Sequence, residues 1–405
     1  MKQASEPRRL RVFLGAFGAP GHAFPMLALG ERLVQRGHDV SFETWERWRP
    51  HVVAAGMDFV AAPEYRVFPP GGRGLKPYEA VVRGTGRTRT AIIAHASDVV
   101  VHDILTLAPA LAAELEGVRR ATLIPHLYPV TEPGMPPYSI GARLPRTRAG
   151  RWFWQQFESP LERGLILGRS ELNETRRRVG LGPVEQLHGG LSPDLCLVAS
   201  FPQLEYPRDW PRHVHVVGPM LWEPPADGDP PLPAGDAPLV LVAPSTSHDP
   251  AQRLLQAAIE GLAGSDVRLL ASLDGRPLRR PLRTSRGTVL VNWLSYAKAM
   301  PNASAVVCHA GHGTVVRALA NGVPVVAVPH SGDMAENAAH IDWAGVGVRL
   351  PWRLLSPLTL RLAVERTLSD RGGYSGRAAS LADWATSHDG ATRAAELVEQ
   401  LAVRA

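Results

Sequence analysis

VCHAGHGTVVRALANGVPVVAVPHSGDMAEN, residues 307 to 337, reads as a strand end, a tight turn, a helix, a second strand and a polar loop. The apolar strand Ala305 to Cys308 stops at His309, and a Gly-rich turn (Gly311, Gly313) with Thr314 opens a helix through Leu319. That turn suits a diphosphate. Small residues let backbone N–H groups approach phosphate oxygens, and the helix N-terminus adds a partial positive charge. Asn321-Gly322 is a left-handed cap signal, and Pro324 begins the buried strand VPVVAVP. Taken alone, the turn also fits an ordinary βαβ unit with no ligand.

Working outward, Val291-Asn292-Trp293 lies upstream and Asp333 downstream. Together with His309, the turn and Gly322-Val323-Pro324, the order and spacing resemble the donor-binding signature of the family 1 glycosyltransferases. The resemblance implies roles residue by residue. Trp293 would stack on the nucleobase, His309, Gly311, His312, Gly313 and Thr314 would hold the diphosphate, and Asp333 would grip sugar hydroxyls. It also implies the GT-B fold, an α/β architecture of two facing Rossmann-like domains with parallel sheets. With a C-terminal helix from Thr392 to Val403 crossing back, the resemblance covers nearly the whole chain.

Length and composition allow this. At 405 residues the chain is long for one core, and two domains are the natural division. Residues 1–222 read as an acceptor-binding domain, the Pro/Gly/Asp stretch 223–238 as a linker, and 239–405 as a nucleotide-sugar domain. Cys196 and Cys308 form no disulfide framework and no CxxC pattern, which fits a reducing cytoplasm. The opening basic residues precede a strand broken by Gly15, Gly18 and Pro20, not a leader, and no run nears the ~20 apolar residues of a membrane span. The net charge of +6 is spread among acidic residues, with no basic stripe interleaved by aromatics. It reads as a solvated Arg-rich surface that favours an anionic donor, not a nucleic-acid face.

The N-terminal run is a βαβ opening: strand RVFLGAF, turn GAPGHAFP, helix MLALGERLVQRG, strand HDVSFET. His22 therefore falls in the loop at the carboxyl end of the first strand, where open α/β sheets bind ligands. On residues alone it is a loop or capping residue. The resemblance makes it the general base, since an imidazole with pKa near 6.5 accepts a hydroxyl proton at physiological pH. Asp103 ends the next buried strand, Val99 to Val101 and onward, on the same edge. It either caps the following helix or, as the resemblance implies, holds the second ring nitrogen of His22. His38 reads as a helix cap, and Asp98 and His102 as structural.

Other pieces keep two readings. Ser245, Thr246 and Ser247 follow a strand and serve either the diphosphate or a helix N-cap. Two pieces read as acceptor-recognising, the Gly/Pro/Arg loop from Pro63 to Thr90 and the stretch from Pro125 through Trp152, Phe153, Trp154 and Phe157, whose aromatics line an apolar acceptor pocket or fill a helical hairpin. Asp227-Gly228-Asp229 looks like a metal-binding DxD but lies in the linker, so no metal and no further cofactor are expected. Arg317 and Met334 depart from the plant-type signature, which has Glu and Gln there. Losing those hydroxyl acceptors fits a dTDP-deoxysugar, because an unpaired buried polar group costs ~1 to 3 kcal/mol; read instead as a solvated helix residue and filler, the two leave a UDP-hexose donor open. The sequence thus predicts an inverting transferase, moving a (deoxy)sugar from a dTDP donor to a hydroxyl of a hydrophobic natural-product aglycone of antibiotic type. A nucleotide-sugar epimerase and a non-catalytic binding partner are the alternatives. A homodimer is allowed; nucleic acid and stable membrane association are not expected.

Overall fold

The computed structural model describes residues 9–62, 77–244, 249–273, 275–278, 284–285 and 287–403. In the first half, parallel strands alternate with helices: β1 (Arg11–Gly15), α1 (Pro20–Gln35), β2 (Asp39–Thr44), α2 (Arg49–Ala54), β3 (Asp58–Ala61), α3 (Pro77–His95), β4 (Val99–Asp103), α4 (Leu107–Leu115) and β5 (Arg119–Ile124). The helix pair α5 (Arg148–Gln155) and α6 (Glu158–Val179) follows, then β6 (Cys196–Val198) and β7 (Val214–Val216). The strand order is β3-β2-β1-β4-β5-β6-β7.

The second half repeats the scheme with β8 (Leu239–Ala243), α7 (Arg253–Leu262), β9 (Arg268–Ser272), β10 (Thr288–Val291), α8 (Tyr296–Ala299), β11 (Ala305–Cys308), α9 (His312–Ala320), β12 (Val325–Ala327), α10 (Asp333–Ala344) and β13 (Gly347–Arg349). Its strands run β10-β9-β8-β11-β12-β13. Three helices close the chain: α11 (Pro357–Leu368), α12 (Tyr374–Ser387) and α13 (Gly390–Val403). Helices cover both faces of a parallel sheet, so central strands read as unbroken apolar runs. Val99–Val101 and Ala305–Cys308 are completely buried.

This topology decides where a ligand goes. The strand order reverses between β1 and β4 in one sheet and between β8 and β11 in the other. Ligands bind outside the carboxyl ends of strands at such switch points. His22 and Asp103 follow the first switch, and the His309 turn follows the second.

The chain crosses between the halves twice. The first crossing leaves β7 and reaches β8; the second runs from α12 into α13. Ala394, Leu397, Val398 and Leu401 of α13 pack into the core that contains Val12, Leu14 and Leu27, so the last helix docks on the first half. Asp389 caps it by accepting from the Ala391 and Thr392 N–H groups, which starts it two residues before the predicted Thr392. The crossings also touch each other. A Cβ on Gly390 would stand 2.6 Å from the Gly218 carbonyl oxygen.

Four local expectations change. The helix α1 begins at Pro20, whose fixed φ suits the first helical position, so His22 sits in the first turn and not in a loop. Half of the predicted loop Pro63 to Thr90 is the helix α3, despite its glycines; residues 63–76 lie outside the described residues. Ala80, Gly84, Thr85, Thr88 and Ile92 form one buried face at helical spacing, and packing overrides weak propensity. His38 does more than end a helix: its N–H bonds the Leu33 carbonyl, while its ring accepts from Leu10 N–H and meets Glu399 of α13 at 2.7 Å. The aromatic segment is not a hairpin core either. Trp152, Phe153 and Phe157 are 63%, 50% and 39% exposed.

Candidate active site

Asp103 is the last residue of β4, and its side chain is fully buried. One oxygen lies 2.7 Å from His22 Nδ1; the other accepts from Thr106 Oγ1 at 3.2 Å and from the Phe17 N–H at 3.4 Å. A carboxylate accepts only, so Nδ1 carries the proton and Nε2 keeps its lone pair. Burial pulls the His22 pKa down, but the charge and hydrogen bond of Asp103, helped by the charge of Asp333, raise it overall. Asp333 opens α10 in the second half, so the field at His22 already includes both halves of the chain.

Across the cleft, the turn after β11 is built on an unusual backbone. Ala310 adopts φ +64°, a left-handed conformation that non-glycine residues adopt at a cost, and it is fully buried. Asn337 of α10 holds it by donating Nδ2 to the Ala310 carbonyl at 2.9 Å. Gly311 leaves room for the His309 ring: a Cβ there would stand 2.5 Å from His309 Nε2 and push it aside. The next residues begin α9, whose first N–H groups have no carbonyl partner within the helix. What His312 offers a ligand is therefore its backbone. Its ring is buried between Asn337 Oδ1 and the Ala199 carbonyl, each at 3.2 Å, and burial pushes its pKa down to about 4. Gly313 has nothing within 4 Å of its Cβ position, and Thr314 is half-buried.

The remaining predicted residues fall in several places. Trp293 stands just past β10 and is 62% exposed. Asp333 is exposed at the start of α10, after Gly332 at φ +64°. Ser245, Thr246 and Ser247 lie outside the described residues. Of Trp152, Trp154 and Phe157, the last two form a cluster with Phe153, with ring centroids 5.1 to 5.3 Å apart, while Trp152 is exposed on α5. None of the three bonds the His22 pair. Arg317 is not a solvated residue: Nη2 donates to the Trp222 carbonyl at 2.7 Å, and Nε is 3.7 Å from Glu223. Met334 is buried at 6% exposure among Ala310 and Val315, so its apolar side chain serves the core and faces no sugar. Asp227 and Asp229 remain exposed in the linker.

Three residues lie in segments that the sequence reading named but were not singled out there. His126, two residues past β5, meets Tyr138, whose Oη is 3.1 Å from His126 Nδ1. Glu336 of α10 reaches the same loop, accepting from the Ser139 N–H at 3.1 Å and the Gly141 N–H at 3.3 Å. Strand-end position was the available signal for His126. Nothing local marked the other two.

Residues 257–401 match the family described as the C-terminal domain of erythromycin biosynthesis protein CIII-like proteins. The 4'-demethylrebeccamycin synthase of Lentzea aerocolonigenes is 29% identical over 427 aligned residues, covering 96% of this chain and 99% of that protein. The O-mycaminosyltylonolide 6-deoxyallosyltransferase of Streptomyces fradiae is 28% identical, covering 97% and 98%. The chain is a glycosyltransferase with the GT-B fold, similar to enzymes of antibiotic pathways. Its fold is shared with the crystal structure of the kitacinnamycin glycotransferase, at TM-score 0.77, 20% identity and coverage of 98% and 99%. In this glycosyltransferase, no described helix is long and apolar enough to cross a membrane.

Proposed function

We propose that this glycosyltransferase moves a deoxysugar from a dTDP donor to a hydroxyl of a hydrophobic natural-product aglycone, with inversion at the anomeric carbon. The observation that carries the mechanism is the 2.7 Å contact between His22 Nδ1 and buried Asp103. His22 Nε2 takes the acceptor proton as the oxygen forms its bond to the anomeric carbon. The bond from that carbon to the diphosphate breaks in the same displacement, and the electron pair leaves with the phosphate oxygen. A single displacement inverts the centre. Asp103 fixes the tautomer and stabilises the imidazolium that forms. The first turn of α9 and His309 receive the developing diphosphate charge, a task that preorganised N–H donors perform without a metal ion.

Three considerations support the donor. Arg317 puts a cation, tied to Trp222 and close to Glu223, where a ribose-binding carboxylate would otherwise stand. A neighbour in fold, the glycosyltransferase VinC, was solved in complex with dTDP, at TM-score 0.69 and 17% identity. The Streptomyces relative transfers a deoxysugar by its name.

His22→Ala tests the base. It should lower kcat by roughly 10² to 10⁴ while donor affinity stays nearly constant, because general-base catalysis contributes that much and His22 lies on the acceptor side. Near-normal turnover with an alcohol acceptor would remove His22 from the mechanism.

A further inference from the structure

The strand β5 lies beside β4, with Leu123 opposite Asp103. His126 comes three residues past Leu123, at the same sheet edge as the His22–Asp103 pair. Its Nδ1 is 2.8 Å from the Leu127 carbonyl. A carbonyl only accepts, so Nδ1 carries a proton, shared with Tyr138 Oη at 3.1 Å. Burial holds the His126 pKa below the ordinary histidine value, and the charge His22 gains on protonation works in the same direction. The ring is therefore neutral. Its Nε2 is a bare acceptor, and no partner for it occurs among the described residues.

The support beneath the ring is rigid. Leu127 is buried in, and Tyr138 packed against, the core of the second half. The Tyr128 N–H donates to buried Glu205 at 2.9 Å, and Glu336 pins the Ser139 and Gly141 N–H groups. His126 is thus oriented before any substrate arrives, the condition under which one hydrogen bond discriminates well. It is half-buried at the wall where the halves meet, within electrostatic reach of His22, Asp103 and Asp333.

Two imidazoles that carry a proton on Nδ1 now lie at one sheet edge: His126, whose Nε2 is a bare acceptor, and His22, whose Nε2 is free whenever the ring is neutral and able to act as base. We propose that His126 is a specificity-determining residue: its Nε2 accepts a hydrogen bond from a second donor group on the acceptor molecule, neighbouring the hydroxyl that His22 deprotonates. The acceptors it favours are aryl scaffolds with paired hydroxyls, over the corresponding mono-hydroxyl compounds. This rests on the transferase reading for the role of His22, but it is read out by binding alone.

The test titrates the wild-type protein, with dTDP present, with 2,3-dihydroxyanthraquinone and with 2-hydroxyanthraquinone, following protein fluorescence. The diol should bind a few-fold to about tenfold more tightly, the effect of one neutral hydrogen bond. His126→Phe should erase that preference and leave the affinity for the mono-hydroxyl compound within about twofold. His126→Asn, which keeps an acceptor, should restore part of it and guards against a folding defect in the Phe variant. In turnover, the Phe variant should raise KM for the diol with little change in kcat. Equal binding of the two compounds by wild type, an undiminished preference in the Phe variant, or binding of neither compound would overturn the proposal. A wild type that shows the preference yet transfers no sugar would instead sink the transferase reading and leave the recognition role standing.

Discussion

Replacing Asp103 by Asn removes a charge and almost no volume, so it isolates what the carboxylate does for His22. The native carboxylate accepts on both oxygens: from His22 Nδ1 at 2.7 Å on one side, and from Thr106 Oγ1 and the Phe17 N–H on the other. An amide cannot accept on both. If its oxygen faces His22, its NH₂ confronts the Phe17 N–H, donor against donor. If its NH₂ faces His22, the ring must carry its proton on Nε2 and can no longer act as a base. A charge-assisted hydrogen bond contributes ~1.5 to 3 kcal/mol, which at about 1.4 kcal/mol per decade predicts a kcat lowered roughly 10- to 150-fold. The pH profile supplies a second readout. The base works as neutral imidazole, so activity falls as pH drops through its pKa. Asp103 pushes that pKa up against burial, hence Asp103→Asn should move the acid limb of kcat/KM to lower pH. The assay is the acid limb of kcat/KM, from about pH 5 to 8, measured for both proteins with one donor and one alcohol acceptor. A variant with kcat within twofold of wild type and an unmoved acid limb would refute the dyad.

Gly311→Ala is tolerated by its backbone, at φ −61°, but the new methyl would meet His309 Nε2 at 2.5 Å. Displacing that ring should weaken dTDP binding by ~1.5 to 3 kcal/mol if a charge-assisted bond is lost, and calorimetry giving wild-type affinity would move the diphosphate site elsewhere. For the base and ribose, dTDP should bind the unmodified protein at least as tightly as UDP, up to about tenfold tighter, since one neutral hydrogen bond is at stake. Tenfold tighter UDP would transfer the donor assignment to a uridine nucleotide; Arg317→Glu is a poor substitute for this titration, because it sets a second carboxylate beside Glu223.

Legibility in the sequence followed locality. Strand, turn and helix in RVFLGAFGAPGHAFP and in the run from Val307 to Asn337 carry their own punctuation, and strand ends at a switch point put His22, Asp103 and His309 where ligands go. The helix α3 was missed because Gly84, Gly86 and three threonines argue against a helix locally, whereas its stability comes from a face packed on distant strands. Met334 and the His312 ring looked available for ligands, and only the packing of α9 against α10 shows them committed to the interior. Arg317 stands where the plant-type signature has Glu, but its partners, Trp222 and Glu223, lie almost a hundred positions earlier in the chain. His126, Tyr138 and Glu336 belong to no motif. They come together because a loop of the first half is fastened to a helix of the second, an arrangement of long-range contacts that no window of sequence contains.

The last helix changes what it means to divide this chain. Because α13 completes the core of the first half while α12 belongs to the second, sequence order and spatial order disagree at the end of the protein. A cut between β7 and β8 would yield a front piece with an open apolar trough, where Leu27 and Val12 had faced Leu397 and Val398, and a rear piece trailing an unmatched amphipathic helix. Each fragment would carry the other's missing surface, an invitation to exchange helices between copies and form swapped assemblies. Separating the halves cleanly takes two cuts and a splice, with α13 returned to the end of β7, across the short gap where Gly218 already touches Gly390.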